Sequence, residues 1–163
     1  MPSKKVLECY QLLAAKKYTI AFAESASGGR MCSEFSLSPE SGTILIGGIV
    51  SYDASVKENI LKVPHQLIEK YTPESAEVTQ SLAECSKKFF KPDVMVAVTG
   101  LTTAGGSETS EKPVGTMFFH IILPQDSIAH RKVYSGSPEE IVLEAINEAA
   151  SLLTTYLKKG VNV

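Results

Sequence analysis

Apolar positions recur along the chain at two alternating spacings. Val6, Cys9, Tyr10 and Leu13 return at three-to-four spacing among lysines, which predicts an amphipathic helix over residues 3–17. A β-rich run predicts a first strand over residues 18–23, and Met31, Phe35 and Leu37 predict a short helix from Arg30 that ends near Ser38-Pro39. Thr43 to Tyr52 is nearly continuous in apolar character, as expected of a strand buried on both faces. The Gly47-Gly48 pair inside it marks a bulge or a close backbone neighbour. Asp53 is placed to cap a short helix carrying Val56, Lys57, Ile60 and Leu61, which stops before Pro64, and residues 64–71 form another brief helix.

Thr72-Pro73-Glu74 supplies the cap, first-turn proline and early acid of a further helix, with Ala76, Leu82, Ala83 and Phe89 on its apolar face to about Phe90. Pro92-Asp93 breaks it, and Val94 to Thr99 is a third buried strand that runs into Gly100. Residues 100–112 hold Gly, Thr, Ser and Glu with almost nothing to bury, so they form a long loop, and loops of that length tend to be functional. Val114 to Leu123 and Ser127 to Tyr134 are strand-like and joined by Pro124-Gln125-Asp126, a link short enough to force antiparallel pairing. Ser137-Pro138-Glu139-Glu140 is a capping box, and the stripe from Val142 to Tyr156 carries a last helix to about Lys158. Strands alternating with helices and closed by a hairpin make a three-layer α/β/α sandwich with a mixed, mostly parallel five-stranded sheet, read as a single domain over residues 1–163.

Composition narrows the function. With 44% hydrophobic and 21% charged residues the chain is an ordinary globular sequence, and a net charge of −2 without a long basic run gives no nucleic-acid footprint. Cys9, Cys32 and Cys85 are odd in number and widely spaced, which argues against a disulfide framework or a zinc site and places the chain in reducing cytoplasm. No apolar stretch approaches membrane-spanning length, and the N-terminus lacks the apolar core of a signal peptide, so we expect an unexported protein with no membrane partner.

In open parallel sheets ligands bind beyond the carboxyl ends of the strands, and three polar exits meet there. The first is Glu24-Ser25 with Ser27, Gly28 and Gly29; the second is Tyr52-Asp53 with Lys57; the third is Thr99-Gly100 and the long loop. A lysine desolvated enough to be neutral can take a serine proton, so Ser25 and Lys57 are a candidate nucleophile and base. Each residue also has an ordinary use: Ser and Gly punctuate turns, Lys57 suits a solvated helix face, Tyr52 suits packing, and Lys112 is a loop charge. His65, His120 and His130 lack ligand spacing, and no GxxxxGK[ST] or GxGxxG motif occurs, so no metal or cofactor is expected.

Ala23-Glu24-Ser25-Ala26-Ser27-Gly28-Gly29 resembles the AES-C-T-GG motif of the CinA C-terminal domain family. Gly47 to Lys57 resembles its GG-x-x-x-Y-S-N-x-x-K segment, and the likeness continues in Val98-Thr99-Gly100-Leu101, Gly105-Gly106, residues 111–116 and residues 131–136, over roughly residues 5–157. The resemblance implies an α/β/α domain whose fourth strand is antiparallel to the rest, and a metal-free Ser–Lys amidohydrolase that deamidates nicotinamide mononucleotide. It casts Ser25 as nucleophile, Lys57 as general base and Tyr52 as a partner orienting the pair or sharing the proton. It implies substrate contacts from Ser27, Gly28, Gly29, Thr99, Gly100, Gly105, Gly106 and Lys112, with Gly28 and Gly29 offering oxyanion N–H groups, and a homodimer or larger homo-oligomer. The chain departs from the family pattern in Ala26 and Ser27, in Thr102-Thr103-Ala104 where the family has Gly-Pro-Asp, and in Ser137, Pro138 and Val142 where it often has arginines. Those departures fit an alternative, a catalytically inactive member that binds a nucleotide-like ligand or a protein partner.

Overall fold

A computed structural model describes residues 1–39 and 41–159. Helix α1 (Lys4–Lys16) starts where the Ser3 hydroxyl accepts the Val6 N–H at 3.2 Å and stops where Lys17 turns left-handed. There follow β1 (Ile20–Glu24), α2 (Arg30–Ser36), β2 (Leu45–Val50), α3 (Ala54–Asn59), α4 (His65–Tyr71), α5 (Ala76–Phe90), β3 (Val94–Gly100), β4 (Thr116–Ile122), β5 (Ser127–Val133) and α6 (Pro138–Lys159). The sheet order is β2-β1-β3-β4-β5, with β1 parallel to β2 and β3, and β4 antiparallel to both β3 and β5. The three-layer mixed sheet read from the sequence is therefore the fold, with β4 the strand running against the others.

Side chains alternate across β1 and sort the core into two layers. Ile20 and Phe22, with Val94, Val96 and Val98 of β3, pack under α1, α2 and α6. Ala21 and Ala23, with Met95 and Ala97, pack under the chain from α3 through α5, where Leu61, Val63, Ile68, Val78 and Leu82 close the layer. The small residues on that face let α5 approach closely. No helix among the described residues is long and apolar enough to cross a membrane.

Two expectations are corrected. The second strand is not buried on both faces: it is Leu45–Val50 at the sheet edge, its side chains alternate between half-buried and exposed, and Thr43 sits in a 3-10 turn before it. Apolarity alone did not distinguish an edge strand from a central one. Its glycine pair does what the sequence implied, since the register slips one residue between Ile20 and Ala21 and a side chain at Gly48 would meet the Phe22 carbonyl at 3.0 Å. The helix expected from Thr72 begins at Ala76, because Ser75 accepts the Val78 N–H while Thr72, at φ 68°, ends α4.

Because β1, β2 and β3 are parallel, their carboxyl ends share one edge, and Glu24 is level with both Val50 and Val98. This register brings the three polar exits together.

Candidate active site

Ser25 leaves the end of β1 with its N–H donated to the Val98 carbonyl at 3.0 Å, while the Glu24 carbonyl accepts the Ser51 N–H at 2.7 Å. The Ser25 turn is thus tied to both neighbouring strands. Asp53 caps α3 by accepting the Ser55 N–H at 2.8 Å, and the helix sends Lys57 back beneath the strand ends. The Lys57 side chain is 0% exposed, and its Nζ lies 3.0 Å from Ser25 Oγ and 2.5 Å from the Ser51 carbonyl oxygen. Burial lowers the Lys57 pKa from its ordinary value of 10.5, against the opposing pull of the Glu74 and Asp53 charges. An amine that gives one N–H to Ser51 keeps its remaining valences for the serine hydroxyl.

Ser25 opens onto a cavity of about 180 Å³ lined also by Ala26, Tyr52, Glu74 and residues 100–106. The Glu74 carboxylate is fixed by Ser107 Oγ, which donates to its Oε2 at 2.5 Å. Among the described residues, no group of three or more His, Cys, Asp or Glu side chains is arranged to hold a metal ion.

Glu24, named from the sequence only as part of the first polar exit, has a role that sequence reasoning did not assign. Its carboxylate is 1% exposed and accepts four hydrogen bonds. Oε2 takes Ser27 Oγ at 2.6 Å, the Gly29 N–H at 3.1 Å and the Met31 N–H at 3.0 Å, and Oε1 takes the Cys32 N–H at 2.7 Å. The start of α2, where orphan N–H groups gather, is thereby saturated by the chain's own acid. An acid at the end of an apolar strand, a few residues before a helix start, was the available signal.

Residues 3–157 match the CinA C-terminal domain. The chain belongs to that family. It is 40% identical to a CinA-like protein of Pseudothermotoga lettingae over 112 residues, 68% of this chain and 27% of the relative. It is 33% identical to a CinA-like protein of Desulfotalea psychrophila, over 93% of this chain and 36% of the relative. The chain thus spans about a third of the length of these curated relatives. Its fold matches the crystal structure of a CinA superfamily protein from Klebsiella pneumoniae at a TM-score of 0.90 and 20% identity, covering 96% of this chain and 97% of that one. An Escherichia coli superfamily member matches at 0.86 and 25% identity, covering 93% and 88%.

In this CinA C-terminal domain the other candidate residues separate by geometry. Tyr52 lines the cavity but is 66% exposed and, among the described residues, makes no hydrogen bond to Ser25 or Lys57; the Ser51 carbonyl holds the lysine instead. Gly28 and Gly29 have positive φ, 58° and 92°, that shape the turn, yet their N–H groups are already given to the Ser25 carbonyl and to Glu24. Neither is available to an oxyanion. The Ala26 N–H has no partner among the described residues, and Ala26 lines the cavity.

Ser27 spends its hydroxyl on Glu24. Thr99 is buried and bonded through Oγ1 to Thr79 Oγ1 at 2.8 Å, leaving Gly100 to face the cavity. Gly105 and Gly106 line it too. Lys112 does not: its Nζ donates to Thr72 Oγ1, the Glu74 carbonyl and Ser107 Oγ at 2.6, 2.9 and 2.8 Å, bracing the long loop against the α4–α5 link.

Proposed function

We propose that this domain is a Ser–Lys amidohydrolase acting on the carboxamide of a pyridine nucleotide, nicotinamide mononucleotide, to give nicotinate mononucleotide and ammonia. The observation carrying the reading is the buried Lys57 Nζ at 3.0 Å from Ser25 Oγ. A fully buried lysine with no carboxylate in ion-pair contact among the described residues is costly as a structural device, whereas a lowered pKa beside a hydroxyl suits a general base.

In this reading neutral Lys57 takes the Ser25 proton as Oγ attacks the carboxamide carbon. The tetrahedral oxyanion is met by the free Ala26 N–H, a donor of about 3 kcal/mol if its geometry matches that of other oxyanion holes. Lys57 then gives the proton to the departing nitrogen, ammonia leaves, and the acyl-enzyme remains on Ser25. Water, activated by the neutral lysine, hydrolyses the ester to release the carboxylate and restore both side chains. Glu74 places a negative charge in the cavity, complementary to a pyridinium ring, and the exposed Tyr52 ring offers that cation a π-face. The enclosed volume is small beside the range of about 300–1,000 Å³ for drug-sized ligands, so in this reading the ring fills it and the ribose and phosphate extend along its rim, where Gly105 and Gly106 lie.

The test is ammonia release from nicotinamide mononucleotide by purified protein. Ser25→Ala is expected to abolish it, and release that survives the substitution would take Ser25 out of the mechanism. A second reading, ligand binding without turnover, is favoured by the Thr102-Thr103-Ala104 loop and by Ser137 and Pro138 in place of arginines. It predicts a raised Tm with the mononucleotide and no ammonia.

A further inference from the structure

Gly105 and Gly106 line the same cavity as Ser25, and their successive N–H groups point at one carboxylate. Gly105 N–H donates to Glu108 Oε1 and Gly106 N–H to Glu108 Oε2, each at 2.8 Å. Gly105 has φ 95°, and adjacent N–H groups turned this way form an anion-binding nest. The nest holds the Glu108 carboxyl below its ordinary value, chiefly through the Gly105 N–H, then Glu108's own N–H and that of Gly106.

Two features set this acid apart from one that merely completes a loop. The N–H groups it takes belong to residues exposed to solvent, so water would satisfy them if the side chain swung away. The nest itself is anchored from behind: Ser107, the next residue, is held by Glu74 and by Lys112, whose three hydrogen bonds all run to the braced side of the loop. A fixed cradle with a removable occupant is what an exchangeable anion site needs. Among the described residues lining the cavity there is no lysine or arginine, and the one carboxylate, that of Glu74, is engaged by Ser107 Oγ, so an anionic ligand group there has backbone N–H donors to meet it.

We propose that the Gly105–Gly106 amides are the subsite for the phosphate of a nucleotide, and that Glu108 is a resident placeholder which the phosphate displaces. The inference rests on reading the Ser25 cavity as a nucleotide site. Displacement taxes affinity by the fraction of time the nest is open, so removing the carboxylate tightens phosphate binding.

The experiment is an amide NMR titration in a Ser25→Ala background, where nothing is consumed, comparing Glu108 with Glu108→Ala and Glu108→Gln. The probes are nicotinamide mononucleotide, nicotinamide riboside and inorganic phosphate. The Gly105 and Gly106 signals are expected to move with the mononucleotide, its Kd falling on the order of tenfold in Glu108→Ala and less in Glu108→Gln. The riboside is expected to bind all variants equally, and inorganic phosphate to bind more weakly than the mononucleotide. Glu111→Gln, which neutralises another acid of the loop, should leave Kd unchanged. Equal affinity across the Glu108 variants, an equal gain for the riboside, an equal gain from Glu111→Gln, or inorganic phosphate binding as tightly as the mononucleotide would each overturn the proposal. Ammonia release is scored separately with Ser25 intact, so the subsite and the amidase reading stand or fall independently.

Discussion

Replacing Glu24 with glutamine keeps the shape of a buried side chain while removing its charge and one of its two acceptor oxygens. Three donors converge on Oε2 and one on Oε1. With the amide carbonyl turned toward the three, the NH₂ faces the Cys32 N–H, donor against donor. One buried N–H left without a partner costs roughly 1–3 kcal/mol, and each remaining bond loses about 1 kcal/mol in going from charge-assisted to neutral. The expected destabilisation is therefore about 4–6 kcal/mol, a large share of the roughly 5–15 kcal/mol that holds a fold of this kind. For a chain of this length that lowers Tm by about 10–20 °C. Glu24 also fixes the turn that leaves the Ala26 N–H free beside Ser25, so kcat should fall on the order of 10²-fold, well beyond any change in KM, at a temperature where the variant remains folded. Urea unfolding measures the first effect and ammonia release the second. A glutamine variant within about 1 kcal/mol of the parent, with unchanged kcat, would refute the claim that this carboxylate organises the turn.

Lys57 gives a pH signature. Its folded pKa lies below the unfolded value, so between the two the unfolded chain binds more protons and stability rises with pH; the penalty is complete below the folded value and gone above the ordinary one. Lys57→Met should abolish ammonia release and remove this slope, so the stability difference between parent and variant should shift in the parent's favour between neutral pH and about pH 10. Cys9, whose thiol burial pushes up to about 12, contributes the opposite slope in both proteins and cancels. Parallel urea midpoints across that range would contradict the assignment. Gly115→Ala should cost upwards of about 4 kcal/mol in the same assay, because its Cβ would fall 1.9 Å from the Tyr134 carbonyl oxygen at φ 95°, whereas Gly28→Ala, with nothing within 4 Å, should cost only the roughly 1–2 kcal/mol of a left-handed alanine.

The approach of Lys57 to Ser25 follows from features the sequence displays. Two apolar runs that each end in polar residues, separated by a helix, are parallel neighbours, and parallel neighbours end at one edge. That logic reaches across the 32 positions separating the pair. It does not reach the position of β2 at the sheet edge, which depends on strand order, nor the choice of Ser75 over Thr72 as a cap, since both have suitable hydroxyls. It also overcounts binding groups. Thr99, Ser27 and Lys112 have the right chemistry for a ligand, but Thr79, Glu24 and the Thr72–Glu74 link already occupy them.

Hydrogen-bond competition is the common cause. A glycine-rich turn advertises several N–H groups, yet which of them a substrate can use depends on the acids of the chain itself. Glu24, buried with four donors around it, withdraws the Gly29 N–H permanently, because leaving would strand an uncompensated charge and four polar groups away from water. Glu108 holds Gly105 and Gly106 at the surface, where water can replace it at little cost. The same bond between acid and glycine N–H therefore closes one turn to ligands and keeps the other available, and burial is the variable that decides between them.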